Sequence, residues 1–504
     1  MRRPPERRVR TLGLAFALGL ASVLAFAPIG AFPLIFLTFG GLYRLIESST
    51  EVARPVLAGA LTGGVFGFGL FVGGVSWVYV SLSNFGGMPA PLAGLSTLLF
   101  CVFLALYPSL ACAIHVRFAP RATWQRSLFF AALWTLGEWL RGWLLTGFPW
   151  LAVGYSQTPP SPLAGFAPVL GVYGVSWLTV WLGTLLGTLS LPRTLGVPRA
   201  AKLTPLLMIA SLLASGTALR EISWTQPHGQ PISVALLQGN IPQEIKWQPE
   251  RFTDSLRVYY RLARDNPAQL TVLPETAIPA FLHQLPAGYL DELRALALRE
   301  NGELVLGIAT GNATVYTNSA FAIGASGTQR YHKRHLVPFG EFVPPGFRWF
   351  MSLAQIPMSD FTPGVVQQAP LRVGDLKVAP NICYEDAFGE EIIRALPEAD
   401  LLVNLSNVAW FGDSLAPAQH LQIAKMRSLE TGRMSLRATN TGMTAIIGAD
   451  GRLVAALPPY TQAALRGEVR GYEGATPFVR WGNTPIVVFS MLLILFAIRR
   501  KVRV

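Results

Sequence analysis

Residues 376–391 read LKVAPNICYEDAFGEE, a short strand-like run that delivers a lone cysteine, Cys383, against Tyr384, Glu385 and Asp386. A thiol at the end of such a run suits a layered α/β fold, where chemistry gathers at strand ends. Working outward, the same rhythm recurs. ISVALLQGNI (232–241), LTVLPETAI (270–278), ELVLGIAT (303–310), LLVNLSNV (401–408) and MTAIIGAD (443–450) are short, rich in Val, Ile and Leu, and bounded by turn residues, so they are predicted strands. The stretches 248–264, 288–301, 387–395 and 417–431 carry apolar residues at three- and four-residue intervals and are predicted helices. Residues 228–476 are therefore expected to form an α/β soluble domain.

The remainder of the chain has a different character. Over 504 residues, 51% are apolar and only 14% charged, well below the quarter expected of a soluble domain, so this is a membrane protein. Apolar runs near 11–27, 30–46, 56–80, 92–116, 127–147, 163–190, 204–219 and 483–499 are long enough to predict about eight spans. Three parts follow: a membrane domain of about seven helices over 1–220, the soluble domain over 228–476, and a last span with a basic tail over 477–504. The net charge of +13 falls in short Arg groups between apolar runs, which argues for topology and against nucleic acid. The N-terminus, the loops with Arg44 and Arg54, with Arg117, Arg121 and Arg126, and with Arg193, Arg199 and Lys202, and the tail RRKVRV are basic, whereas the alternate loops are uncharged. By the positive-inside rule both termini are cytoplasmic and the soluble domain faces outward, the periplasm in a bacterial inner membrane. Ala25-Phe26-Ala27 imitates a signal-peptidase site, but Pro28 follows it and the first helix is expected to stay.

Of three cysteines, Cys101 and Cys112 share an apolar stretch and read as small packed hydrophobes. No spacing indicates disulfides or zinc; His332 and His335 have H-x-x-H spacing without further ligands, so no metal is expected. His332, His335 and His420 remain as partners for a Cys–His pair. The Gly-rich stretch 63–74 suits close helix approach, and with no Gly-Lys pair there is no Walker A loop. No cofactor is called for.

Three candidate groups lie at or near predicted strand ends: Glu275 in LPETAIP, Lys333 in YHKRHLVPFGEF and Cys383 in NICYED. A free thiol is only about 3% thiolate at pH 7 and needs a base, which Glu275 can supply. Lys333 offers positive charge for a thiolate and for a tetrahedral oxyanion, a contribution worth about 100- to 1000-fold at comparable sites.

Glu, Lys and Cys in this order and these contexts resemble the nitrilase (carbon–nitrogen hydrolase) superfamily. That resemblance implies an αββα sandwich with Cys383 as nucleophile, Glu275 as base and Lys333 as oxyanion support. With a multi-span region in front and one span behind, the whole chain resembles the apolipoprotein N-acyltransferase family. The pieces that carry the resemblance are GFPWL (147–151), QGNIPQEIKW (238–247), HKRHLVPFGEFVP (332–344), ICYED (382–386) and AWFGD (409–413). Members often have Asp between SN and AW, where this chain has Val408.

The supporting residues follow from the same stretches. Backbone N–H groups of a helix starting near Tyr384 and Glu385 would favour the thiolate. Glu385 and Asp386 complement that helix start, and Glu385, like Glu341, is alternatively a partner that orients Lys333 or Glu275. Counting about 1.5 Å per residue from Arg126, Glu138 and Arg141 lie about 18 and 22 Å along the fifth span, where ionisable groups face a cavity or each other. They are read as an intrahelical pair, or Arg141 as a contact for a lipid headgroup phosphate. Trp77, Tyr79, Phe148 and Trp150 are interfacial aromatics or gate residues, with Trp247 and Trp410 as analogous candidates in the soluble domain.

The resemblance implies two steps. Cys383 takes an acyl chain from a phospholipid, phosphatidylethanolamine by expectation, and the amine of a diacylglyceryl-cysteine on an apolipoprotein then takes it from the thioester. Extracting a long acyl chain from a bilayer costs on the order of 10 kcal/mol, at about 0.8 kcal/mol per methylene, so membrane attachment suits this chemistry. A membrane-anchored amidase, in which water accepts the acyl group, is the alternative. A transporter is disfavoured by the lack of paired broken helices with coupling-ion residues. A monomer is expected.

Overall fold

The computed structural model describes residues 5–50, 52–189, 203–312, 314–344, 346 and 360–502. The chain forms two compact units: one of residues 1–76, 94–222 and 481–504, the other of residues 77–93 and 223–480.

Each predicted apolar run holds a helix among the described residues: Pro5–Ser22, Pro33–Ser49, Pro55–Gly74, Ala90–Phe118, Thr123–Arg141, Ala167–Leu189, Leu203–Leu219 and Thr484–Val502. Among the described residues four segments, Arg8–Ala25, Pro55–Gly74, Ala90–Phe118 and Pro162–Leu189, are long and apolar enough to cross a membrane by themselves. Arg193, Arg199 and Lys202 of one basic loop lie outside the described residues. Proline opens helices Pro33–Ser49 and Pro55–Gly74, where its missing N–H costs nothing. Small residues set the helix spacing. A Cβ on Gly19 would lie 2.0 Å from the Phe66 carbonyl oxygen, and one on Gly69 would lie 2.4 Å from that of Phe16, so the first and third helices meet backbone to backbone.

The fifth span stops at Arg141 rather than 147, and the chain from there to Ala167 is irregular, exposed at Trp143, Leu144 and Leu145 but largely buried over 147–158, with short turns at Leu144–Thr146, Val153–Gln157 and Pro162–Phe166. Non-helical backbone in an apolar setting needs internal partners. Arg141 provides them to the carbonyls of Phe148 and Trp150, both at 2.6 Å. Glu138 Oε1 accepts from the Val153 N–H and the Trp134 indole N–H, each at 2.9 Å, and Ser176 Oγ accepts from the Gly154 N–H at 2.8 Å.

The second unit is built on twelve strands: β1 (Gln226–Gln238), β2 (Leu270–Val272), β3 (Glu303–Gly311), β4 (Tyr316–Gly324), β5 (Gly327–His332), β6 (Leu371–Val373), β7 (Leu376–Ile382), β8 (Leu401–Ser406), β9 (Ser435–Thr439), β10 (Ala445–Ile447), β11 (Leu453–Ala456) and β12 (Ala463–Glu473). They make two six-stranded sheets, ordered β12-β1-β2-β3-β4-β5 and β11-β10-β9-β8-β7-β6. The middle of each is parallel, β1-β2-β3 in one and β7-β8-β9 in the other, and antiparallel strands extend the edges. Helices Pro249–Asp265 and Tyr289–Arg299 cover one face of the first sheet, packing Leu256, Tyr259, Leu293 and Ala297 with Leu237, Leu304, Leu306 and Ile323. Helix Ala416–Thr431 packs Leu421 and Ala424 against Ala445 and Ile447 of the second. The result is the expected αββα sandwich.

Two predictions need correction. The stretch 387–395 is not one helix: a 3-10 turn spans Cys383–Ala387, one α turn spans Gly389–Ile392 and another 3-10 turn spans Ile393–Ala395. Phe388 breaks the run with φ −108° and ψ 80°. The third span stops at Gly74 rather than 80, and residues 77–93 fold with the second unit. There Trp77 donates from its indole to Gln419 Oε1 at 3.2 Å and sets its ring edge-on to Phe411, while Ser81 Oγ donates to the Trp410 carbonyl at 2.7 Å.

Candidate active site

Glu275 lies just past the end of β2. Its loop runs against β3 because Gly307 has no side chain: a Cβ there would sit 2.4 Å from the Pro274 carbonyl oxygen and 2.6 Å from the Glu275 Cα. Lys333 directly follows β5, and its N–H bonds the Asn318 carbonyl at 2.8 Å. Cys383 directly follows β7 with φ +56°, a left-handed conformation that is unusual for a non-glycine residue and is found where function demands it. All three side chains are buried, Cys383 at 7% exposure and Lys333 at 1%.

The polar groups form one network. Lys333 Nζ lies 3.0 Å from Glu275 Oε1 and 2.8 Å from Glu341 Oε2. Asn318 Nδ2 donates to Oε1 of both carboxylates at 2.8 Å, and the Asn407 N–H donates to Glu275 Oε2 at 3.0 Å. Glu341 also accepts from the Val337 N–H at 2.9 Å, which fixes the turn after Lys333. Burial favours the neutral form of each group, but mutual attraction wins for the charged pair: the Glu275 carboxyl is held below its usual range and the Lys333 ammonium well above its own.

Burial, with the charges of Glu275 and Glu341, instead pushes the Cys383 thiol far up, against the opposing influence of Lys333 and Arg437. The sequence-based expectation that a helix start would favour the thiolate is therefore overturned, because only a five-residue 3-10 turn follows the cysteine. At rest the pair is thiol and carboxylate. Thiol attack can hand its proton to Glu275, and Lys333 supplies a fixed cation for the oxyanion.

Glu385 is more than a charge at a turn. Its Oε1 accepts from the N–H groups of Arg334 (2.7 Å) and His335 (3.0 Å), its Oε2 accepts from the Ile382 N–H (2.6 Å), and the Tyr331 hydroxyl donates to it at 3.1 Å. One carboxyl thus ties the backbone beside Lys333 to the backbone beside Cys383. Burial pushes it up to about 7, against Lys333 and those backbone donors. Asp386, expected only to complement a helix start, is buried between His420 Nε2 at 2.7 Å and Arg437 at 3.0 Å.

The remaining candidates are distributed. The Tyr384 ring meets His335 and Phe388 edge-on, and its hydroxyl and the Trp247 indole N–H are buried without a hydrogen bond among the described residues. Trp410 follows β8 on the turn Val408–Phe411, meeting Phe85 edge-on. Val408 is buried, and Gly442 leaves it room: a Cβ there would lie 2.2 Å from Val408 Cγ2. Arg141 and Trp150 belong to the first unit, where both are buried and joined as described above. The candidate histidines bond as follows: His332 Nδ1 with the hydroxyls of Thr317 and Ser319, His335 with Glu391, and His420 with Asp386 and with the Cys383 backbone. Among the described residues no group of three or more metal-ligating side chains occurs.

Sequence reasoning did not single out Asn318, Asn404, Asn407, Arg437, Thr276 or Lys246. The signal available was polar residues inside strand-like runs, as in LLVNLSNV and SLRAT, since a polar side chain on a buried strand needs a partner.

Comparison with known proteins agrees with both halves of the chain. Residues 18–185 match the family described as Apolipoprotein N-acyltransferase N-terminal domain, and residues 233–473 match Carbon-nitrogen hydrolase. The chain is similar to an apolipoprotein N-acyltransferase of Nitrosomonas europaea, 47% identical over 97% of this chain and 98% of the relative. It is also similar to those of Ralstonia nicotianae, at 43% identity over 97% and 93%, and Chromobacterium violaceum, at 44% over 97% and 94%. The chain belongs to the apolipoprotein N-acyltransferase family.

Proposed function

We propose that this membrane acyltransferase of lipoprotein maturation works by two displacements at Cys383. The observation that carries the reading is the Glu275–Lys333–Glu341 charge cluster beside a left-handed cysteine, in a chain that matches the family from end to end. In the first step the Cys383 sulfur attacks the ester carbonyl of a phospholipid and Glu275 takes the thiol proton. Lys333 stabilises the oxyanion, and collapse releases the glycerol oxygen, which takes the proton back from Glu275 to give lysophospholipid. In the second step the neutral N-terminal amine of a diacylglyceryl-cysteine attacks the thioester, passes a proton to Glu275 and forms an amide. The departing thiolate recovers that proton.

Phosphatidylethanolamine is the proposed donor, and a diacylglyceryl-modified apolipoprotein the acceptor. Glu341 and Glu385 hold Lys333 and the nucleophile turn in place, a role their hydrogen bonds support. Tyr384 and Trp247, with buried polar tips, and Trp410 are proposed as acyl-chain contacts of the second unit; in the first unit Trp150 is proposed as a substrate contact and Arg141 as the residue that holds its loop. The alternation of basic and uncharged loops supports a periplasmic catalytic domain, cytoplasmic termini and an inner-membrane location, with a monomer as the working unit.

The experiment supplies phosphatidylethanolamine with a synthetic diacylglyceryl-cysteine peptide, either with its amine free or acetylated. Acyl transfer to the free amine, with little fatty acid released in either case, is the expected result. Fatty acid release at the same rate with both peptides would make the chain a hydrolase instead.

A further inference from the structure

Glu275 is approached from a second direction by the turn Gln243–Lys246, which directly precedes Trp247. Gln243 Oε1 accepts from Asn407 Nδ2 at 2.9 Å, and the Asn407 N–H in turn holds Glu275 Oε2. At the other end of the turn, Lys246 Nζ donates to Thr276 Oγ1 at 2.9 Å. Thr276, the residue after the base, has φ +44°, a left-handed conformation that is a genuine outlier for a β-branched side chain. Such strain persists only where the surroundings hold it.

Lys246 itself is 1% exposed, and among the described residues no carboxylate lies within ion-pair distance of it. A lysine is seldom fully buried unless paired, so this one calls for an explanation. Burial pushes its ammonium down to about 7, with the negative charge of Glu275 holding it up.

We infer that Lys246 is a positioning residue for Glu275: its hydrogen bond to Thr276 holds the strained loop that aims the base, and its charge favours the ionised carboxylate. This rests on the assignment of Glu275 as the base for Cys383. Glu275 is also faced by Lys333, by Glu341 through Asn318, by Cys383 and by the more distant charge of Arg437. Lys333 serves both carboxylates of the cluster, whereas Lys246 has Glu275 as its one charged neighbour of note. Removing the Lys246 charge raises the Glu275 carboxyl, so at a given acidic pH less of the base is ionised and the acidic limb of the rate profile moves to higher pH.

The test compares K246M, T276V and T276S in the full-length protein, reading acyl-adduct formation on Cys383 and overall peptide N-acylation with phosphatidylethanolamine as donor. K246M and T276V are expected to lower kcat about tenfold or more with KM for the lipid within about twofold, while T276S, which keeps the hydroxyl, stays near the parent. The acidic limb should rise in K246M. A folded K246M with parental kcat and an unmoved limb overturns the inference. If K246M does not fold, equal rates for T276V and T276S overturn it. A parent protein that N-acylates the peptide without an adduct on Cys383 would refute the thioester reading instead, and the K246M limb in overall turnover would still decide for or against Lys246.

Discussion

Asn404 Nδ2 donates to the backbone carbonyl of Cys383 at 2.9 Å, so the left-handed turn of the proposed nucleophile is held by a side chain of the neighbouring parallel strand. Asn404 pairs in register with Asn381 on β7 and Arg437 on β9, making a buried polar row across three strands. It donates to Asn381 Oδ1 at 2.6 Å and accepts from Arg437 at 2.7 Å. Replacing Asn404 by Leu removes the donor to Asn381 Oδ1 and to the Cys383 carbonyl, at about 1–3 kcal/mol each, while Arg437 keeps its bond to Asp386. A lower Tm together with a greater loss of acylation than of folded protein is the expected outcome, read by thermal unfolding and adduct formation on the same samples.

The opposed shifts of Cys383 and Glu275 set a pH dependence. With the thiol held up and the carboxyl held down, the reactive thiol–carboxylate pair persists across the neutral range. Iodoacetamide alkylation of Cys383 should therefore show no inflection near the ordinary thiol value of about 8.5. An inflection there would place the sulfur in a setting like water. The sign for stability follows as well: the depressed Glu275 contributes above the unfolded carboxyl pKa, and that contribution is lost as pH falls through the folded value.

Arg437 is the buried cation near Cys383, bonded to Asp386 at 3.0 Å, with His420 on the other oxygen of that carboxylate. Arg437→Met removes one partner of a buried pair and should cost about 3–5 kcal/mol. Changing Asp386 to Asn in the same chain removes the orphaned charge and should recover part of the loss. A double mutant cycle by chemical denaturation checks both.

In the membrane unit, Arg141 spends its guanidinium on the carbonyls of Phe148 and Trp150. Both bonds leave from Nη1, and the guanidinium also lies over the Phe71 ring at 5.2 Å; lysine carries the charge but not that planar group, so Arg141→Lys should not fully restore what Arg141→Met loses. The measurement is Tm in detergent, with both variants expected below the parent.

Much of the architecture was legible because membrane helices and buried parallel strands write themselves as apolar runs. Each of the eight predicted runs holds a helix, although the third and fifth helices end six residues early, and the runs bearing Glu275, Cys383 and Asn407 belong to or directly follow strands. Strands β4, β5, β6, β9, β11 and β12, four of them sheet edges, were missed because they are short or mix polarity, as GTQRYH and SLRAT do. The predicted helix after Cys383 failed for another reason. Glu385 and Asp386 there satisfy partners distant in sequence, Arg334 and Arg437 among them, which no local pattern can show. The buried, irregular stretch 147–158 was likewise hidden: its backbone is bonded by Glu138, Arg141 and Ser176, and those bonds exist only in three dimensions.

The central claim is that Cys383 carries the acyl group. Intact-protein mass after incubation with phosphatidylethanolamine, for the parent and for Cys383→Ala, tests it most directly. The account predicts a hydroxylamine-labile acyl adduct on the parent alone. An adduct of the same mass on Cys383→Ala, or lipid consumed and peptide acylated by the variant at the parental rate, would contradict it.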